Sequence, residues 1–478
     1  MATKQFVRRL AATRYCSSKK AIFLTEKQLQ SLSLDQEREL LATEISVSST
    51  PHVRSSDEAV FGRKRIGCVE LPKPLIKGIT DLVEGHDKRL IRADALRLYD
   101  ALRSTAKIVK ESSEDFDGSR KAKKLRNASS SSAKALVEPH KLSFGPRESV
   151  AYAAGVLPST FAAVTNVMHE ISARIADFHP RSMLDFSTGP GTAIWAAREV
   201  FKLEKCVGVD LSEDMLRVAE QLEESVKTDS DNAIEFKRYL SFDPKAPQTD
   251  LVISAFTLGD IASVALQKST VEQLWAQTGD ILVLIERGTP IGFSNIARAR
   301  QWILDLESVN AHVVAPCSHD HPCPLLFTPQ AKPENIWCHF SQRVQRPSFL
   351  MKTKHSKFNA EDSKYSYVVL RRGSRPTAFA TLEEQAYQWP RLIQPPLKKN
   401  GHVVMDVCSK EGEIQRMVIP KSQGKIPYRD ARKAMWGDLF PHSPKNKVVT
   451  RVSKGVAMHG AAVPECWLCN GGWRINNK

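Results

Sequence analysis

The chain has 478 residues, too many for one ordinary hydrophobic core, so two or three domains are expected. Hydrophobic residues make up 42%, yet no uninterrupted apolar run reaches the ~18 residues of a membrane span, which argues against one. Lysine and arginine (69) exceed aspartate and glutamate (53) by a net +16. That excess points to a polyanion, most commonly nucleic acid, although a basic presequence and solvated lysines account for part of it; charge alone does not choose RNA or DNA.

Residues 1–25 carry Lys4, Arg8, Arg9, Arg14, Lys19 and Lys20 before the first acidic residue, Glu26, with small and hydroxyl residues between them. This is the composition of a mitochondrial targeting segment, and a plastid address or a plain basic tail shares it. No secretory apolar core is present, so disulfides are not the default fate of the nine cysteines. Residues 26–140 read as a helical and partly disordered region. Apolar positions at helical spacing run over about 76–112, and the serine-rich, charged stretch after them, with its basic run Arg120 to Arg126, lacks periodicity.

A second helical stretch, "ESVAYAAGVLPSTFAAVTNVMHEISARIADFHP", is expected to break at Pro158 and to close at Pro180. The period then changes. "SMLDFSTGPGTAIWAAREVF" and "KCVGVDLSEDMLRVAEQL" each read strand, turn, helix, and further strands fall at "IEFKRYLS", "DLVISAF" and "DILVLIERG". Strands alternating with helices in this way predict an α/β domain with a parallel, doubly wound sheet over about 141–375. "YSYVVLRRG" and "HVVMDVCSKEGEIQRMVI" are β-rich, and a smaller β-rich part is expected at 376–445, with a tail at 446–478.

In "LDFSTGPGT", Asp185 ends the first strand, and Gly189 and Gly191 permit a tight turn against a bound cofactor. Asp210 closes the second strand, where a carboxylate can accept hydrogen bonds from ribose hydroxyls. The spacing resembles class I S-adenosylmethionine-dependent methyltransferases, which implies a cofactor site at Asp185, Ser187, Gly189, Gly191 and Asp210. Ser187 stands where that pattern has its first glycine, and a Rossmann-like fold with a degenerate site is the competing reading. After the fourth strand, "SAFTLGDI" lacks the Asp/Asn-Pro-Pro-aromatic acceptor motif of amino-methylating enzymes. Pro316–Cys317 looks like the Pro-Cys nucleophile of RNA cytosine-5 methyltransferases, but it follows the fifth strand, so the order is wrong for that role.

"AHVVAPCSHDHPCPLL" concentrates Cys317, Cys323, His312, His319 and His321, and Cys338 and Cys408 follow at uneven intervals. Four thiolates can close a tetrahedral zinc site or hold a cubane cluster; zinc on three cysteines with His319, His321 or His339 is an alternative, as are merely buried cysteines. Cys466 and Cys469, in "ECWLCNGG", form a lone pair that is incomplete as a metal site.

Together "YAAGVLPSTFAAV", "LDFSTGPGTAIWAA", "ERGTPIGF", "APCSHDHPCPL", "WCHFSQRV", "YSYVVLRRG" and "YRDARKAMWGDLFP" resemble, over about 140–440, the methyltransferase-like proteins associated with the mitochondrial small ribosomal subunit. The resemblance implies a matrix-located assembly factor, monomeric on the ribosomal particle, that contacts small-subunit rRNA and ribosomal proteins. It implies a four-iron four-sulfur cluster on Cys317, Cys323, Cys338 and Cys408, with zinc the alternative metal. S-adenosylmethionine binding, and with it an active rRNA methyltransferase rather than a scaffold, stays open. Arg343, Arg346, Arg371, Arg372 and Lys398, in basic stretches near the cysteines, are candidate phosphate contacts.

Overall fold

The structure, a computed structural model, describes residues 55–104, 142–227, 232–240, 247–306, 310–329 and 331–456. The stretch read as a targeting segment, the Arg120–Arg126 run, Cys466 and Cys469 lie outside these residues. Along the chain, α1 (Asp57–Phe61), β1 (Cys68–Val69), α2 (Lys73–Glu84) and α3 (Lys88–Ser104) come first. Next are α4 (Pro146–Gly155) and α5 (Leu157–Arg174). The expected break falls between these two helices, which meet at 57°, and Pro158 sits in the first turn of α5, where its missing N–H costs nothing. No single described helix is long and apolar enough to cross a membrane; the bent pair α4–α5 passes on length and composition, and its apolar side chains belong to the core.

The strand and helix alternation then runs as the period change predicts. It comprises β2 (Ser182–Phe186), α6 (Thr192–Arg198), β3 (Lys205–Val209), α7 (Glu213–Val226), β4 (Ile234–Lys237) and β5 (Thr249–Ala255). It continues with α8 (Val264–Gln277), β6 (Thr278–Arg287), α9 (Pro290–Leu304), β7 (Ala311–Ala315), β8 (Phe340–Gln345), α10 (Ser348–Lys354) and β9 (Ala360–Arg372). Strands β4-β3-β2-β5-β6 are parallel in that order, and β9 joins β6 antiparallel. This is the class I methyltransferase-like, Rossmann-like sheet that the sequence predicts. Its central strands carry continuous apolar runs because both faces are covered: α4, α5 and α6 pack on one side, α8 and α9 on the other.

The far edge is the unusual part. Val369 of β9 faces Val283 of β6 on one side and Ala315 of β7 on the other, while Tyr365 faces Arg287 and Phe340 of β8. Strands β7 and β8 therefore lie end to end along one edge of β9. Residues 316–339 leave the sheet after Ala315 and return at Phe340, opposite Ser366, Tyr367 and Val368. Beyond α11 (Leu382–Ala386), a second, antiparallel sheet is built from β10 (Arg391–Leu392), β11 (Leu397–Lys398), β12 (His402–Cys408), β13 (Ile414–Pro420) and β14 (Val449–Val452), with α12 (Lys425–Lys433) packed on it. Its last strand lies within the stretch read as a tail. The small sheet has its own core, around Val403, Met405, Val407, Met417 and Ile419.

Candidate functional site

Strand order reverses between β2 and β5, and the carboxyl ends of β2 and β3 open on the crevice where doubly wound sheets bind ligands. The five predicted residues meet there. Ser187 has φ 64°, Gly189 52° and Gly191 78°, so the turn is left-handed at all three positions. A side chain is strained at the first, where the expected pattern has glycine. A Cβ at Gly191 would come within 2.9 Å of the Trp195 indole, which donates to Pro190 O at 2.8 Å. Asp185 is 1% exposed and accepts from the Thr188 hydroxyl at 2.7 Å; burial pushes its carboxyl up to about 7. Asp210 accepts from Gly189 N–H at 2.8 Å and from Ser212 N–H at 2.9 Å, and burial raises it as well. The carboxylate that would hold a ribose is thus bonded to the glycine turn itself, although each oxygen keeps acceptor capacity.

Where an acceptor motif would follow β5, Phe256 is buried in a left-handed conformation (φ 63°), and its N–H donates to Ile285 O at 2.7 Å. Glu286 at the end of β6 accepts from Gly259 N–H at 2.9 Å, and burial raises its pKa. The neighbouring carboxyls are occupied by the backbone rather than aimed at a reacting group.

The cysteines form a second site. Cys317 lies two residues past β7, Cys338 two residues before β8, Cys323 in the excursion between them, and Cys408 at the end of β12 in the other sheet. All four line one small cleft, together with Ser366, Tyr367 and Val368. The Ser366 hydroxyl donates to Cys338 O at 2.8 Å, fixing the return of the loop. Burial, and then the charge of the neighbouring thiols, pushes Cys323 up to about 12 and drives Cys338 and Cys408 well above their usual value. The four are close enough to feel one another, yet among the described residues no three His, Cys, Asp or Glu side chains close on a single ion.

Of the three candidate histidines, His319 is nearest: its Nε2 lies 3.3 Å from Cys408 Sγ, and its Nδ1 has no partner among the described residues. His321 stacks on His319, and a Cβ at Gly412 (φ 79°) would crowd both rings. His339 is held away, between Trp337 and Trp436.

Two buried arginines that sequence reasoning missed complete the cleft. Arg300, 2% exposed, donates through Nη2 to His319 O at 2.7 Å, and its Nε and Nη1 have no hydrogen-bond partner among the described residues. Arg391, also 2% exposed, donates to Pro316 O at 2.8 Å and Gly437 O at 2.7 Å and pairs with Glu170 at 2.7 Å. Glu170 also meets Lys64 Nζ and the Tyr367 hydroxyl, each at 2.5 Å. Burial alone would raise Glu170, and the two cations and the hydrogen bonds outweigh it, so its pKa lies well below the carboxylate range. For Lys64 burial wins, lowering it to about 8. The signal was in the sequence: Glu170 interrupts the apolar face of α5.

The basic candidates divide. Arg343 pairs with Asp362 at 2.8 Å, Arg346 with Glu361 at 2.9 Å and Arg371 with Asp280 at 2.9 Å. Arg372 donates to Thr278 O at 2.6 Å and Trp275 O at 2.8 Å and lies over the Trp275 ring. These four are engaged with neighbouring carboxylates or carbonyls, and Arg343 remains largely exposed; Lys398 alone of the five is exposed without an ion pair among the described residues.

A family model described as mitochondrial small ribosomal subunit Rsm22 matches residues 146–441, more than half of the chain. The chain belongs to the Rsm22 family. The matched span of this Rsm22-family chain contains the glycine turn, all four cysteines of the cleft and α12. Human "Ribosome assembly protein METTL17, mitochondrial" is 36% identical over 63% of this chain and 64% of its own length. Budding-yeast "Ribosome assembly protein RSM22, mitochondrial" is 23% identical over 68% of this chain and 72% of its own. The match thus spans less than two thirds of the human relative. The location of the Rsm22-family chain is mitochondrial. Among solved structures, magnesium protoporphyrin IX methyltransferase from Synechocystis PCC 6803 aligns with a TM-score of 0.29 at 12% identity, over 57% of this chain and 94% of that one.

Proposed function

We propose that the chain is an assembly and maturation factor of the mitochondrial small ribosomal subunit, acting in the matrix. In this reading it contacts rRNA and ribosomal proteins through a methyltransferase-like scaffold, and Cys317, Cys323, Cys338 and Cys408 hold a four-iron four-sulfur cluster. The family and the names of the relatives support the assembly role. The observation that carries the cluster is the convergence of four thiols from two sheets on one cleft with Arg300 and Arg391. Thiolates on a single zinc lie about 3.8 Å apart at the usual Zn–S length of about 2.3 Å. A cubane places irons between its thiolates and spreads them wider. The resemblance to the small-subunit-associated family favours the cluster over zinc. The guanidinium of Arg300, buried with unused donors, suits the negative charge that a thiolate-ligated cluster carries.

When bound, the cluster supplies iron–thiolate bonds that tie the edge of the large sheet to the small one, a structural use that needs no redox turnover. The chain's own residues position the ligands: Ser366 holds the backbone of Cys338, Arg391 that of Pro316, and His319 adjoins Cys408. A scaffold role fits the other cleft better than catalysis does, because Asp210 is bonded to the glycine turn and Phe256 occupies the acceptor position. An rRNA methyltransferase is the second reading, favoured by the retained Asp185, Gly189, Gly191 and Asp210.

Anaerobic purification with iron, zinc and acid-labile sulfide analysis tests the cluster. About four irons and four sulfides per chain are expected, lost on combined Cys317→Ser and Cys323→Ser substitution. Zinc without sulfide would remove the cluster and leave the assembly reading; no metal would overturn the cysteine site altogether. Transfer of labelled methyl groups from S-adenosylmethionine to small-subunit rRNA by the purified chain would replace the scaffold reading with the second one.

A further inference from the structure

The positive charge of the chain is unevenly placed. Residues 391–454 contain fourteen lysines and arginines against five aspartates and glutamates, an excess of nine out of the chain's +16. Four of those five carboxylates are already engaged: Asp406 pairs with Arg416 at 2.7 Å, Asp430 with His442 at 2.8 Å, Asp438 accepts from Lys64 N–H at 2.9 Å, and Glu413 accepts from Gln415 at 3.1 Å. Lys398, Lys399, Lys421 and Lys425 collect at one end of the small sheet, while Lys410, Arg451 and Lys454 lie toward the other. Strands β11 and β12 form a hairpin whose tip is Lys399–Asn400–Gly401, with Gly401 left-handed at φ 85°. Lys421 N–H donates to Gly401 O at 2.8 Å, bringing the turn before α12 against that tip. Arg432, near the other end of α12, approaches Lys399 O at 3.5 Å. Lys425, Arg429 and Arg432 recur at helical spacing and form one stripe along α12.

Lys398, Lys399, Lys421, Lys425 and Arg432 are exposed and have no ion pair among the described residues, and Leu397 and Ile426 are 55% and 49% exposed among them. Burial and the nearby Arg432 both lower the pKa of Lys398, so these cations repel one another in the free chain. Like charges gathered this way oppose folding, and a bound polyanion relieves them.

Resting on the RNA-binding reading above, we propose that the β11–β12 hairpin tip and α12 form the face by which the chain binds RNA phosphates. A file of cations spaced by helical turns matches a phosphate backbone, and the exposed Leu397 and Ile426 offer apolar contact to unstacked bases. The face belongs to the sheet that supplies Cys408, so the cysteine cleft fixes its position on the large sheet.

The test uses the full chain and a fluorescein-labelled RNA stem-loop, with affinity measured by anisotropy over a range of salt. Combined Lys398→Glu and Arg432→Glu substitution should weaken binding at least about tenfold and flatten the dependence of log K on log salt by about one to two units. Combined Lys73→Glu and Lys77→Glu substitution on α2 makes the same change in net charge and should leave affinity within about twofold. The neutral pair Lys398→Gln and Arg432→Gln should fall between wild type and the charge reversal while melting like wild type, which separates lost contact from lost fold. Equal weakening by the two charge reversals would overturn the assignment of the face and leave RNA binding standing. So would unchanged RNA affinity in the Lys398, Arg432 variant; if that variant also stopped sedimenting with small-subunit particles, the face would contact a protein. A wild-type chain that did not bind the RNA at all would sink the RNA reading itself.

Discussion

Asp185 shows what burial does to one residue. Its carboxyl, raised to about 7 by burial at the end of β2, binds a proton in the folded chain over a range where the unfolded chain has released it. Stability from this group is therefore fully present below about pH 4 and is lost as pH rises through about 7. Asp185→Asn keeps an oxygen for the Thr188 hydroxyl and cannot ionise. It should be more stable than wild type at pH 8, by up to about 4 kcal/mol, and level with it near pH 4. Urea unfolding at several pH values reads this, and parallel pH profiles for the two chains would exclude a buried ionising carboxyl. The position of Asp185 was legible in the sequence because a strand end, a glycine turn and a helix start are local features. The left-handed Ser187 and the bond from Gly189 to Asp210 were not legible, since each depends on how closely the turn folds back on β3.

Among elements, the Lys64–Glu170–Arg391 cluster matters most. It joins the segment before β1, helix α5 and strand β10 in a volume closed to water. A buried carboxylate flanked by two cations is costly to disturb on one side only, because removing it leaves both cations uncompensated. Glu170→Gln should cost about 3–5 kcal/mol in denaturant unfolding, and adding Lys64→Met should recover part of that loss. A single-variant loss below about 0.5 kcal/mol would mean that the cations find water or other partners. The sequence announces only that a charge sits on an apolar helix face. Its partners come from segments far away in the chain, and no periodicity in α5 can name them. The same reasoning explains Arg343, Arg346 and Arg371, which read as free cations in a basic stretch and pair in the fold with carboxylates placed opposite them by strand register and packing.

At the scale of the whole molecule, two sheets meet across the cysteine cleft, and Arg391, Cys408 and Ile414 of the small sheet line it. On the proposed cluster reading, iron removal by chelator under oxidising conditions, or Cys408→Ser, should speed tryptic cleavage between β9 and β10 several-fold, because a group that binds only the folded arrangement stabilises it by linkage. Digestion at an unchanged rate would mean that the Lys64–Glu170–Arg391 cluster and the apolar contacts hold the sheets without the metal. The sequence by itself determined the α/β alternation, the glycine turn between Asp185 and Asp210, and the unusual density of cysteine and histidine after β7, since all are written in short-range spacing and composition. The resemblance named the four cysteines together; only the tertiary structure showed that Cys408 reaches the cleft from the other sheet, that Arg300 and Arg391 line the same cleft, and that Lys398, Lys399, Lys421 and Lys425 share one end of the small sheet. The reason is physical: β9 serves as a common partner for β7 and β8, so its register sets where the cysteine loop leaves and returns, and the packing of the second sheet against that gap brings in the fourth thiol.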